Sequence, residues 1–246
     1  KKNEKINLKY FKSFNTIEDL QSEIKTLINN KIDKACISLS DYFTYFFIYD
    51  FENAEEDDII KLIKFKCREF IPFDMNNANI GYQIILKTTN EDKNQIKIIA
   101  GITDKTLVAK YEKILETTRI KHFTILSPTF SLLNLFNESN FCLINSDEST
   151  TTMVFMDKGK INYIRKIAAN NKIEKNIFDT INFYANKYPE NKIDRIYMNN
   201  EIKIPDLEIP IKIIEINQYI NIDNNLKLTE EEISSLTSLA GVISCI

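Results

Sequence analysis

The sequence is poor in glycine, cysteine and histidine, and each shortage removes a class of function. Its 246 residues include four glycines, four cysteines and one histidine. Backbone that cradles phosphate needs glycine, because N–H groups must approach the anion with no Cβ in the way, often at positive φ. Gly81, Gly101, Gly159 and Gly241 fall in no P-loop and no G-x-G-x-x-G run. Cys36, Cys67, Cys142 and Cys245 lie far apart inside apolar stretches, without C-x-x-C spacing. A zinc site or disulfide framework is therefore disfavoured, and buried reduced thiols of a cytosolic protein are expected. His122 opens a strand pattern with no serine–acid partner motif, so it reads as structural rather than as a general base. No apolar run approaches the roughly 18 residues of a membrane helix. Even "YFTYFFIYDF" is short and aromatic, and reads as a strand.

What is present is an ordinary core-forming composition, 43% hydrophobic and 27% charged, enough for one large domain or two small ones. The net charge of −3 and the interleaving of lysines with acids imply a solvated surface, not a nucleic-acid footprint. The acidic run "ENAEEDD" reads as a helix N-terminus rather than a metal site. A first residue Lys1 and a last stretch "SLAGVISCI" read as a piece of a longer protein, which leaves room for a membrane anchor or further domain outside it.

Helical periodicity marks six segments. "NTIEDLQSEIKTLINN" has Thr16 as N-cap and Ile17, Leu20, Ile24, Leu27 and Ile28 on one face. "AEEDDIIKLIKFKCREFIPF" carries the stripe Ile59, Ile60, Ile63, Cys67 and Phe70 and is stopped by Pro72. "TDKTLVAKYEKILETTR" follows, then "SPTFSLLNLFNESN" with Ser127 as N-cap and Pro128 at the first helical position. "EKNIFDTINFYANKYP" and "LTEEEISSLTSLAGVISCI", the latter opened by a Thr229–Glu232 capping box, complete the set. Strands are expected at 35–49, 80–88, 95–102, 122–126, 141–145, 151–156, 161–167, 195–198 and 211–216. Their alternation with helices gives an α/β class.

Three stretches, in this order, resemble a family. They are "DDIIKLIKFKCREFIPFDMNNANIGYQII", "NQIKIIAGITDKTLVAKYEKILETTRIKHFTILSPTF", and the pair "INYIRKI" and "SLAGVI". The chain resembles PilM, the actin-like protein of type IV pilus assembly, which is related to the cytoplasmic domain of GspL and to FtsA. The resemblance implies a two-lobed actin-like fold with an inserted small α/β subdomain. It implies a first lobe over 1–126, incomplete at its start and holding the insert at about 48–126, and a second lobe over 127–246. The abrupt end also suits the PilM part of a PilM–PilN fusion.

In that fold ATP lies between two phosphate hairpins and a glycine pair near the adenosine. Where the second hairpin carries Asp-x-Gly, this chain has Asn145-Ser146-Asp147, followed by Glu148. Two carboxylates there repel a polyphosphate unless a metal intervenes. Thr150 and Thr151 remain as hydroxyl donors or plain strand residues, Asn199 and Asn200 stand in place of the glycine pair, and only Gly241 matches a glycine of the pattern. The first hairpin is not recognisable in "KKNEKINLKYFKSF". The expectation is a degenerate nucleotide site built from Ser146, Asp147, Thr150, Thr151, Asn199, Asn200 and Gly241, with no cofactor and no catalysis. The alternative is an ATP-binding ATPase in which Asp147 and Glu148 hold Mg²⁺ through water.

The resemblance further implies a cytoplasmic scaffold at the inner membrane. It would bind the cytoplasmic tail of a PilN-like membrane protein and connect it to the pilus motor ATPase, with a GspL-like or filament-forming relative as the rival. The expected partner surface is Phe70, Ile71, Pro72, Phe73 and Tyr82, since exposed aromatics beside an apolar helix end anchor peptides.

Overall fold

The computed structural model describes residues 6–8, 22–23, 34–52, 54–90, 93–116, 122–204, 207–222, 226–229, 232–233 and 236–237. Strands β1 (Ile6–Leu8) and β2 (Lys34–Ser38) precede a 3-10 turn at Asp41–Phe43 and strand β3 (Thr44–Glu52). Then come α1 (Ile59–Cys67), β4 (Ala78–Asn90), β5 (Lys93–Asp104), α2 (Lys105–Glu116), β6 (His122–Leu126) and α3 (Pro128–Leu133). The remainder runs β7 (Phe141–Ser146), β8 (Thr150–Asp157), β9 (Lys160–Ala168), α4 (Ile173–Lys187), β10 (Arg195–Met198), β11 (Ile211–Ile213) and β12 (Ile220–Ile222).

The largest sheet has the order β11-β10-β7-β8-β9, with β7, β8 and β9 an antiparallel meander and β10 and β11 parallel to β7 and to each other. Every residue of β7 is buried, because both sheet faces are covered. Cys142 and Ile144 face α4, whose Ile177, Ile181 and Tyr184 recur at helical spacing, and Phe155 of β8 stacks on Tyr184 at 4.3 Å. Phe141 and Leu143 face the other way, against Leu132 of α3, Tyr197 and Ile214. The hairpin between β8 and β9 closes on two residues, Lys158 (φ 50°) and Gly159 (φ 73°). That pair of positive φ values suits the right-handed strand twist, and glycine is there for it.

A second, antiparallel sheet has the order β3-β5-β4. One face carries Phe51, Ile96, Ile98, Ala100 and Ile102 against Ile59, Ile63 and Cys67 of α1. Those three positions, four apart, form one stripe, and burying each isoleucine stabilises the fold by about 2 kcal/mol. The opposite face sets Ile48 and Ile99 against Val154 and Ile161 of the large sheet. Lys97 Nζ also donates to Asn162 Oδ1 across that junction at 3.2 Å. Strands β2 and β6 pair in parallel beside it, and β1 pairs with β12.

Several expectations need correction. The strand expected over 35–49 is two strands broken by the 3-10 turn, where Ser40 Oγ accepts from Tyr42 N and Asp41 turns inward. The helix expected to run to Pro72 ends at Cys67, and the chain turns at 68–70, where Phe70 N donates to Cys67 O. Ile60 and Phe70 are not in its buried stripe but project outward. The helix after Ser127 ends at Leu133, and the strand at 211–216 stops at Ile213. Ser127 does cap α3, with Pro128 following, and Thr229 and Glu232 exchange the two bonds of a capping box. Cys67 and Cys142 are buried free thiols and Cys36 is half-buried, while Cys245 lies outside the described residues. Most of the first and last expected helices, with Thr16, also lies outside them.

Candidate functional site

The bend between β7 and β8 gathers six of the seven residues expected around a nucleotide; Gly241 lies outside the described residues. Asp147 N donates to Thr150 O, and Asp147 Oδ1 accepts from both Ser149 N and Thr150 N at 2.8 Å. Asp147 thus caps its own bend, the local competition for backbone amides that short acidic side chains offer. Its other oxygen, Oδ2, accepts from Ser40 Oγ at 2.7 Å, 107 positions away in the chain. Ser146 N donates to Asn199 Oδ1 while Asn199 Nδ2 and Asn200 Nδ2 both donate to Ser146 O, each at 2.8 Å. Ser146 and Thr151 share a hydroxyl–hydroxyl bond, and Thr150 Oγ1 donates to Ile167 O. Asn199, Thr150 and Thr151 are buried. As arranged, the bend holds the Asp147 carboxylate against the amides of Ser149 and Thr150.

Two further residues meet there that sequence reasoning missed. Asp41 is 1% exposed, and its carboxylate accepts from Ser127 Oγ at 2.5 Å, from Thr129 Oγ1, and from Asn145 Nδ2 at 3.5 Å. Thr152 also bears on this carboxylate, but its hydroxyl makes no bond of acceptable geometry and is unpartnered. Burial pushes the Asp41 carboxyl above its ordinary range, against the pull of these donors. Lys166 of β9 donates to the carbonyls of Asp41, Tyr42 and Thr44 at 3.2, 3.2 and 2.7 Å, and its ammonium lies 4.6 Å from the Tyr45 ring centroid. Burial lowers its pKa, opposed by the charges of Asp41 and Asp147. The one sequence signal was an interruption and not a role: a 15-residue strand is far longer than the usual five or six, and Ser40-Asp41 breaks it.

A second feature lies on the three-stranded sheet. Gly81 of β4 and Gly101 of β5 are cross-strand partners, and Gly101 in turn faces Phe46 of β3. Half of the chain's glycines therefore lie side by side on one sheet face. The bare backbone floors a cavity of about 290 Å³ whose walls include Leu39, Phe46, Tyr82, Val108, Ile125 and Phe130. A Cβ at Gly81 would meet nothing within 4 Å, so the space above it is open. A further cavity of about 500 Å³ starts from the same Gln83 and Phe130, which extends the recess along β4. No described strand pairs with the outer edge of β4.

The five residues expected to form one partner surface are only partly at the surface. Tyr82 shares a sheet face with Phe47 through Ala100, and the Phe70 ring lies 6.2 Å from that of Phe47, so Tyr82 and Phe70 are exposed on the same side of the sheet, with Pro72 also exposed. Ile71 is buried in the core beside α1, and Phe73 packs against Tyr45, because the turn after the helix folds back onto β3.

The mixed five-stranded sheet β11-β10-β7-β8-β9 and the smaller sheets that precede it in the chain make up an actin-like fold. Solved structures agree. A chain of the PilM–PilN type IV pilus biogenesis complex superposes with a TM-score of 0.64 at 10% identity, covering 92% of this chain and 83% of that one. The cytoplasmic domain of EpsL, an inner-membrane component of the type II secretion system of Vibrio cholerae, gives 0.53 at 5% identity over 91% and 80%. A Bacteroides thetaiotaomicron protein with an actin-like ATPase fold and unknown function gives 0.52 at 12% identity over 97% and 86%. No family model and no curated protein matches the sequence.

Proposed function

We propose that this chain is a non-catalytic, nucleotide-free scaffold of a type IV pilus inner-membrane assembly complex. Its first lobe, residues 1–126 with the insert at about 48–126, docks the cytoplasmic tail of a PilN-like membrane protein at the cytoplasmic face of the membrane. The second lobe, 127–246, completes the fold, and the tail partner connects the assembly to the motor ATPase. The observation that carries this reading is the Gly81–Gly101 groove, a mainly apolar recess beside a strand edge that no described strand covers. Its 290 Å³ is at the small end of ligand pockets, room for one or two apolar side chains of an extended segment rather than for a nucleotide. The likeness to a chain from a PilM–PilN complex supports the choice of partner. The Asp147-capped bend supports the absence of ATP.

Calorimetry tests both parts. A peptide of the partner's cytoplasmic tail is expected to bind the wild type, and Gly81→Phe, which fills open space, is expected to abolish binding with the melting temperature unchanged. Undiminished peptide binding by Gly81→Phe refutes the groove. Mg-ATP is expected to give no heat; micromolar affinity would overturn the nucleotide-free reading and favour an ATPase. Retention of a motor ATPase but of no membrane-protein tail would favour the GspL-like rival.

A further inference from the structure

The most exposed large apolar side chains among the described residues are Phe65 and Phe70, at 67% and 65%. Both belong to the last turn of α1 and the turn after it, whose buried side is the Ile59–Ile63–Cys67 stripe. Around them stand Lys64, Lys66 and Arg68, all exposed, with the Arg68 guanidinium 5.7 Å from the Phe65 ring centroid. None of these three cations belongs to a described ion pair, whereas Lys61 at the other end of the helix is tied to Asp58. One acid, Glu69, lies among them.

From this we infer that the C-terminal end of α1 is a membrane-contact surface, which seats Phe65 and Phe70 in the interface of an anionic lipid bilayer while Lys64, Lys66 and Arg68 meet the headgroups. A helix face with cations around exposed aromatics is what interfacial binding requires, and long lysine stems let the charge stay in water as the rings enter. A bilayer fits better than an acidic peptide because the exposed rings and cations line no described groove that would seat an extended chain. None of the three described cavities is lined by a residue of α1 or of the turn after it. The acids before the helix do not oppose the contact. Nine helical residues span about 13 Å, more than the screening length of about 8 Å at physiological salt. Glu56 is moreover neutralised by Lys87 at 2.6 Å. The surface is separate from the groove.

Flotation of the whole chain with vesicles tests this. Binding is expected to equimolar phosphatidylglycerol and phosphatidylcholine, to be lost with phosphatidylcholine alone, and to weaken as salt rises. Each cation near an anionic surface strengthens partitioning about fivefold, so K64Q/K66Q/R68Q is expected to weaken it roughly a hundredfold. F65S/F70S is expected to reduce binding at least tenfold. Both variants change exposed positions, so melting temperature and tail-peptide affinity are expected to stay as in the wild type. This separates failure of the surface from failure of the groove. No binding to anionic vesicles at low salt, undiminished binding by F65S/F70S, or capture of polyglutamate in preference to vesicles would each overturn the proposal.

Discussion

Replacing Asp41 by alanine removes the carboxylate on which the 3-10 turn, the start of α3 and strand β7 converge. Ser127 and Thr129 each donate to it, and Asn145 lies at the edge of hydrogen-bond range. Thr129 and Asn145 are also buried. A buried hydroxyl left without its acceptor costs about 1–3 kcal/mol, so Thr129, with a smaller contribution from the half-buried Ser127, places the loss at about 2–4 kcal/mol. For a chain of this length each kcal/mol lowers the melting temperature by about 2–4 °C, so Asp41→Ala is expected to melt at least about 4 °C earlier. Asp41→Asn keeps the shape and one acceptor and is expected to lose less than half as much. The pH dependence has a definite sign. Burial raises the folded-state pKa of Asp41 above its unfolded value, so the native state binds that proton more tightly. The stability from this group is fully present below the unfolded pKa of about 3.9 and is lost as pH rises through the folded value. Thermal melts by circular dichroism from pH 4 upward are therefore expected to show wild type losing ground to Asp41→Asn as pH increases. A wild type that gains on Asp41→Asn over that range, or an alanine variant that melts with the wild type, refutes the reasoning.

Other outcomes follow from single residues. Thr152→Val replaces a buried, unpartnered hydroxyl by a methyl group and is expected to be neutral or stabilising by about 1 kcal/mol in chemical denaturation; a loss above that would mean the hydroxyl does bond Asp41. Gly159→Ala forces a Cβ onto a residue at φ 73° in open space, so about 1–2 kcal/mol of strain is expected without any clash. Phe155→Ala opens a cavity beside Tyr184 and is expected to cost about 3–5 kcal/mol, read from the denaturation midpoint. Asp147→Ala is expected to accelerate hydrogen exchange at Ser149 and Thr150 while β10 stays protected, and unchanged exchange at those two amides would count against the capped bend.

What was legible in the sequence was what short-range chemistry determines. The β8–β9 hairpin is announced by β-branched and aromatic residues on either side of Lys158-Gly159, and α4 by Ile177, Ile181 and Tyr184 before Pro189. Ser127-Pro128 at the start of α3 is equally local. Asp41 was not legible, because the partners that make a buried carboxylate tolerable lie 86 to 104 positions away. Inside an apolar run it reads only as an interruption. Ile60 and Phe70 misled for the opposite reason, since apolar residues at nearly helical spacing imply burial whether or not a partner face exists. The pairing of Gly81 with Gly101 depends on strand register, and a bulge between Ile84 and Leu86 shifts that register within the same strand.

Where a chain leaves its backbone bare determines what can approach it. Here the bend that resembles a phosphate clamp has Asp147 where that pattern carries glycine, and the carboxylate folds back onto the amides an anion would seek. Ser40 and Lys166 then tie the bend and β9 to the segment that leads into the three-stranded sheet, so protein groups make the cross-cleft contacts. Gly81 and Gly101 lie instead side by side on adjacent strands of that sheet, and over Gly81 opens a recess walled by leucine, valine, isoleucine and aromatic rings. Glycine at a bend favours anions, because N–H groups converge there. On the face of a sheet it exposes no convergent donors, only depth, and depth between apolar walls selects an apolar side chain. The same residue type, moved from bend to sheet, offers depth between apolar walls instead of converging donors, and that contrast is what the peptide and Mg-ATP titrations read.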